Sequence, residues 1–69
     1  MPTNKAYRQF VERVAKDTNQ SVNKTFKHLA DLSGDSVSAK SVTNWYYGIG
    51  RINTAAWKYW HLKLYGEDA

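Results

Sequence analysis

The sequence predicts an all-α fold, a small domain of four helices, on three observations. Apolar residues recur at helical spacing in four consecutive segments. Each segment follows a Ser, Thr or Asn that can cap it, and each ends near a Gly or Asn that can close it. No alternating run of β-branched residues bounded by turn pairs occurs, so no strand is expected.

The first helix opens at Thr3 or Asn4 and runs to Asp17 or Thr18. Tyr7, Phe10, Val11 and Val14 follow the helical period, with Ala6 and Ala15 widening the stripe. Lys5, Arg8, Glu12, Arg13 and Lys16 are expected on the solvent side. Thr18-Asn19-Gln20-Ser21 breaks the pattern, and Asn19 suits a left-handed position. A second helix starts between Ser21 and Asn23 and ends at Gly34, with Val22, Phe26, Leu29 and Ala30 on one face. Leu32 lies off that face and is expected to reach a neighbouring element. Lys24, Thr25 and Lys27 gather near the start of this helix, where an N-terminus already attracts anions. Gly34-Asp35-Ser36-Val37 forms the following turn, with Val37 as its buried anchor.

The third helix runs from its cap Ser38 to its stop Gly48. Val42, Trp45 and Tyr46 make one narrow apolar stripe. The other face carries Ala39, Lys40, Thr43, Asn44 and Tyr47, with no acid among them. Gly48-Ile49-Gly50-Arg51-Ile52 is a compact loop whose Arg51 suits a backbone phosphate. Asn53 then caps a fourth helix, Thr54 to about Tyr65, closed by Gly66, and Ile52 and Trp57 occupy the two positions of a hydrophobic staple. Trp57, Trp60, His61 and Leu64 form its inner stripe, while Tyr59, Leu62 and Tyr65 lie off it. That is more apolar surface than one small core can bury, so either the core wraps the helix or a second molecule covers it, and a homodimer interface through Tyr59, Leu62 and Tyr65 is expected. The expected core is Tyr7, Phe10, Val11, Val14, Phe26, Leu29, Ala30, Val37, Val42, Trp45, Trp57 and Trp60. Residues 1–66 form one domain and residues 67–69 a short flexible tail.

Composition narrows the function classes. A chain of 69 residues supports one core and has no Cys, which removes disulfides and thiolate metal sites. No long apolar run is present to span a membrane, and Met1-Pro2-Thr3-Asn4-Lys5 lacks a signal-peptide core, so a cytoplasmic protein is expected. The formal charge is +4, and Ser36 to Gly66 contains no acid while holding Lys40, Arg51, Lys58 and Lys63. A basic, acid-free half is an electrostatic footprint of nucleic-acid binding. Catalysis, cofactors and metals are not expected. His28 and His61 are isolated, the basic half has no paired acids, and Gly48-Ile49-Gly50 lacks the strand that a phosphate-cradling loop requires.

Ala30, Gly34, Val42 and Trp45 give the chain a resemblance to the helix-turn-helix of phage Cro/cI-like transcriptional regulators, a lambda repressor-like fold. The continuation Trp45-Tyr46-Tyr47-Gly48, then Arg51 and a Trp- and Leu-containing helix, is similar to small phage-borne members of that group. The resemblance covers residues 21–65. It departs at the turn, where Gly34 and Val42 stand about two residues further apart than in the family. It implies that the third helix enters the major groove, with base-reading positions at Ser38, Ala39, Lys40, Thr43, Asn44 and Tyr47. The chemistry of the residues agrees: Asn can read adenine bidentately, Lys can meet guanine acceptors, and Thr or Ala can pack a thymine methyl. Lys24, Thr25, Lys27, Ser41 and Arg51 are then expected on backbone phosphates. The implied partner is a near-palindromic double-stranded operator, bound by a homodimeric phage or prophage repressor in the bacterial cytoplasm, at the nucleoid. The alternative is a small phage protein using the same scaffold to bind and inhibit a host protein.

Overall fold

The computed structural model describes residues 2–34 and 36–69, so the part of Asp35 in the predicted turn lies outside the described residues. Four helices follow one another: α1 (Asn4–Asp17), α2 (Val22–Leu32), α3 (Ala39–Tyr46) and α4 (Thr54–Tyr65). No strand occurs among the described residues.

Local chemistry fixes the helix ends. Thr3, Ser21, Ser38 and Asn53 each sit in extended backbone, and each side-chain oxygen accepts from an amide of the first turn, that of Ala6, Lys24, Ser41 and Ala56 respectively. Thr3, not Asn4, therefore caps α1. Left-handed residues follow the helices, and Gly50 adds one more inside the α3–α4 loop. After α1, Asn19 has φ +54°, the Asn19 amide donates to Lys16 and the Gln20 amide to Ala15. After α3, Gly48 has φ +80°, its amide donates to Trp45, and the Ile49 amide donates to Asn44 at 2.9 Å. Both are Schellman closures, in which two amides beyond the helix satisfy two of its last carbonyls.

The apolar stripes meet in one core of Tyr7, Phe10, Val11, Val14, Phe26, Leu29, Ala30, Val37, Val42, Trp45 and Trp60. Tyr46, Ile52 and Ala56 join it, whereas Trp57 is only half-buried at its edge. Leu32 reaches this core from the flank of α2. Trp60, fully buried, packs against both Tyr7 and Trp45 with ring centroids 6.3 and 6.4 Å away, and its indole N–H donates to the Leu29 carbonyl at 3.0 Å. One side chain thus ties α4 to α1, α2 and α3. His61 stacks on Phe10 at 4.2 Å and its Nδ1 lies 2.9 Å from the Trp57 carbonyl, the core-edge role its position on the stripe suggests. At Gly66 the chain turns back, and Glu67 meets Arg13 at 3.1 Å.

Candidate nucleic-acid interface

The inner side of α3 is locked. Val42 is fully buried, and Trp45 and Tyr46 are nearly so. The Tyr7 hydroxyl donates to the Val42 carbonyl at 2.7 Å, and burial holds that phenol well above its usual pKa. Trp45 meets Tyr7 edge-on at 6.2 Å, and Tyr46 meets Phe26 at 5.3 Å. These contacts fix the rotation of the helix, and so which residues face outward. Lys40, Asn44 and Tyr47, at i, i+4 and i+7, make the outward stripe. Lys40 and Tyr47 are exposed and Asn44 is half-buried.

Several polar groups of α3 are already committed within it. The Ser38 hydroxyl accepts from the Ser41 amide at 3.1 Å and donates to the Ser41 hydroxyl at 3.2 Å. The Thr43 hydroxyl donates to the Ala39 carbonyl at 2.8 Å, which leaves its methyl as the uncommitted end. The Asn44 backbone carbonyl accepts from Tyr47 and Ile49, while its carboxamide stays out of the helix's hydrogen bonding. Lys40, Asn44 and the hydroxyl of the exposed Tyr47 are therefore the polar groups on this stripe with capacity for a ligand, and Ala39 and the Thr43 methyl supply small apolar surface.

The C-terminal end of α3 is held by a stripe of α1 made of Asn4, a candidate cap from the sequence, and of Arg8 and Glu12, expected on the solvent side. The Asn4 amide nitrogen donates to the carbonyls of Trp45 (2.9 Å) and Tyr46 (3.3 Å). One turn on, the Arg8 guanidinium stands 4.9 Å above the Tyr46 ring. A further turn on, Glu12 accepts from the Tyr46 hydroxyl at 3.0 Å. Burial, and then this bond to Glu12, raise the Tyr46 pKa. Asn4, Arg8 and Glu12 recur every fourth residue, so the signal was present, but polar residues at that spacing read as a solvated face.

The expected phosphate contacts separate. Lys27 is exposed and lines an open groove with Ala30, Gly34, Val37, Ser38 and Ala39, at the start of α3. Lys24 lies one turn earlier on α2, also exposed. Arg51 is exposed in the loop after Gly50, which approaches Trp45 at the far end of α3. Thr25 must be removed from the set. It is fully buried and its hydroxyl donates to the Ser21 carbonyl at 2.8 Å, so it closes the first turn of α2 from inside. The acid-free run from Ser36 to Gly66 is also not the whole electrostatic environment. The fold carries Asp31 into the Lys27 groove and Glu12 to Tyr46.

On α4, Tyr59 (44% exposed) and Leu62 (62%) stand in solvent. Tyr65 does not join them. Its hydroxyl donates to Asp17 at 2.6 Å, and the Arg13 guanidinium lies 3.6 Å from its ring centre. Its ring meets Phe10 edge-on at 6.1 Å, so this residue is spent on docking α4 to α1. Burial, followed by the bond to Asp17, pushes its pKa up to about 12.

No protein-family model matches the chain, and comparison with curated proteins and with solved structures gives no match either. Among the described residues, no helix is long and apolar enough to cross a membrane, and no three His, Asp or Glu side chains gather as a metal would require.

Proposed function

We propose that the chain binds double-stranded DNA sequence-specifically, laying the outer face of α3 in the major groove, as a helix-turn-helix regulator of a phage or prophage. One observation carries this reading. A helix locked into the core by Val42, Trp45 and Tyr46 presents Lys40, Asn44 and Tyr47 outward and contains no acid of its own. Asn44 reads a base edge, Lys40 reads guanine acceptors, and the Thr43 methyl and Ala39 pack thymine methyls. Lys24, Lys27 and Arg51 neutralise phosphates, while Ser38 and Ser41 shape the start of the helix. The α2–α3 connection, residues 33–38, is longer than the usual ~3–4-residue turn of such motifs. The resemblance alone therefore does not set the reading face; the rotation of α3 supports it instead.

The functional unit is a homodimer, at least on DNA, joined through Tyr59 and Leu62 of α4. A two-fold dimer sets two α3 helices about one DNA turn apart, roughly 34 Å, and requires a near-palindromic site. Selection of bound fragments from a random duplex library, at low salt, tests the reading. The expected product is an enriched near-palindrome. Recovery of fragments with no enriched sequence would defeat the claim of specificity, and sedimentation of the complex with one chain per duplex would defeat the dimer.

A second reading has its own observation. Tyr47 (66% exposed) and Ile49 (57%) put apolar surface at the end of α3, as a protein-binding face does. On that reading the chain binds and inhibits a host protein. Absence of any duplex binding at low salt, with a host protein retained by the wild type and lost on Tyr47→Ala, would favour it.

A further inference from the structure

Ten basic residues are spread over the chain, and the fold gives one of them a setting that its sequence position conceals. Arg8 belongs to α1, yet its guanidinium stands over the ring of Tyr46, the last residue of α3. Tyr46 is nearly buried, with its ring against Phe26 and its hydroxyl bonded to Glu12. It is a fixed post, and a cation resting on it loses less freedom on meeting a ligand than one on a free side chain. Tyr47, on the outward stripe, packs edge-on against the same ring at 5.3 Å. Arg8 is thus contiguous with the C-terminal end of the reading face. Among the described residues, the ion pair present is Arg13 with Glu67, so Arg8 is not neutralised by a direct carboxylate contact.

At the other end of α3, Lys27 lines the groove with Ser38 and Ala39. Between these two cations runs a helix of eight residues, about 12 Å long at ~1.5 Å per residue. A B-form major groove is also about 12 Å wide. We infer that Arg8 is a backbone-phosphate contact at the C-terminal end of α3, facing Lys27 across the groove, so that the two cations grip opposite strands. The inference rests on the proposed DNA binding and adds a residue, a strand assignment and a geometry to it. Glu12 beside Tyr46 reduces the local positive potential, so the contact acts through a directed guanidinium and not through a general basic field.

α1 supplies its own control. Arg13 is the same residue type on the same helix, but it lies over Tyr65 and pairs with Glu67 at the α4 side. Arg8→Ala and Arg13→Ala remove the same charge from two places on α1, the second together with an ion pair on the α4 side. The measurement is a salt titration of wild type, Arg8→Ala, Arg8→Lys and Arg13→Ala on the selected duplex and on a scrambled one. Thermal melts of each variant confirm that it is folded.

Arg8→Ala is expected to make the slope of log affinity against log salt shallower by about one, equally on both duplexes. The gap from wild type should then shrink roughly threefold between about 50 and 200 mM salt, one phosphate's share of released counterions. Arg8→Lys should restore the slope, and Arg13→Ala should leave it unchanged. Neutral methylphosphonates placed singly along each strand then locate the contact. The position that weakens wild type but not Arg8→Ala should lie on the strand opposite the position insensitive in Lys27→Ala.

An unchanged slope in folded Arg8→Ala overturns the inference, as does an equal loss in Arg13→Ala. Both insensitive positions falling on one strand overturns the cross-groove grip. If wild type binds no duplex even at low salt, the underlying function is wrong, and that result is distinct from either of these.

Discussion

Asn4 offers a quantitative test of how the proposed reading helix is held. Its amide nitrogen donates to the carbonyls of Trp45 and Tyr46, across the boundary between α1 and α3. The Trp45 carbonyl also accepts from the Gly48 amide at 3.2 Å, so Asn4→Ala does not orphan it. The Tyr46 carbonyl loses its Asn4 bond, but Asn4 is exposed and water can take the site. The expected cost is therefore that of an ordinary net hydrogen bond, about 1 kcal/mol, and not that of a buried unsatisfied group. In a domain of this size, about 1 kcal/mol lowers Tm by roughly 4–8 °C. Asn4→Asp sharpens the test. A carboxylate gains up to about 1 kcal/mol at the N-terminus of α1, but it loses both donors and faces two carbonyls at the negative end of α3. We expect Asp to be at least as destabilising as Ala at neutral pH. Facing carbonyls, the new carboxyl has a folded-state pKa above its unfolded value of about 3.9. Its penalty is thus present above the folded pKa and relieved as the pH falls toward the unfolded one, where the protonated acid can donate. Thermal melts by circular dichroism at neutral and acid pH read both effects. A Tm of Asn4→Ala within a degree of wild type would refute the contribution assigned to this bond. So would an Asp variant more stable than Ala at neutral pH.

Two further expectations concern the scaffold. Trp60→Phe keeps most of the ring but loses the bond to Leu29, whose carbonyl still accepts from the Ser33 amide and hydroxyl, both at 3.2 Å; the cost should be about 1–3 kcal/mol, whereas Trp60→Ala, at about 3–5 kcal/mol, should leave the domain largely unfolded in urea titration. Tyr7, Tyr46 and Tyr65 have folded-state pKa values raised above their ordinary value of 10.0, Tyr65 to about 12, so the stability they contribute is complete below pH 10 and is lost as the pH climbs through the folded values. Alkaline melts followed by tyrosinate absorbance should show Tm falling above pH 10, and a Tm constant to pH 12 would contradict those environments.

What the sequence disclosed about the fold is what local chemistry decides. Ser38 and Asn53 read as caps because an N-cap needs only its own side chain and the next turn, and Asn19 and Gly48 read as stops for the same reason; for α2 the sequence narrows the start to Ser21–Asn23, and Ser21 is the cap. The stripe Val42, Trp45, Tyr46 defined the inner side of α3, and with it the outer side. Tertiary pairing was not legible. Thr25 lies three residues after Val22, on the buried side, but its hydroxyl suggested an exposed ligand; back-bonding to Ser21 lets that hydroxyl be buried at little cost. Tyr65 reads as surplus apolar surface because nothing local says that Asp17 and Arg13 of α1 stand beside it. Asn4, Arg8 and Glu12 showed helical spacing but are polar, and only the packed structure reveals α3 as their neighbour.

The central claim is that α3 reads base edges, and one measurement addresses it most directly: the affinities of wild type, Lys40→Ala and Asn44→Ala for the selected duplex and for a scrambled one. Both side chains face outward with no role in the core, so the variants should melt as wild type does. Each should lose about 1–3 kcal/mol on the selected site, with discrimination relaxed at one base pair. Scrambled binding should be nearly unchanged for the neutral Asn44→Ala and reduced much less than specific binding for Lys40→Ala. Folded variants that bind the selected duplex as tightly as wild type would contradict the account and remove α3 from the groove.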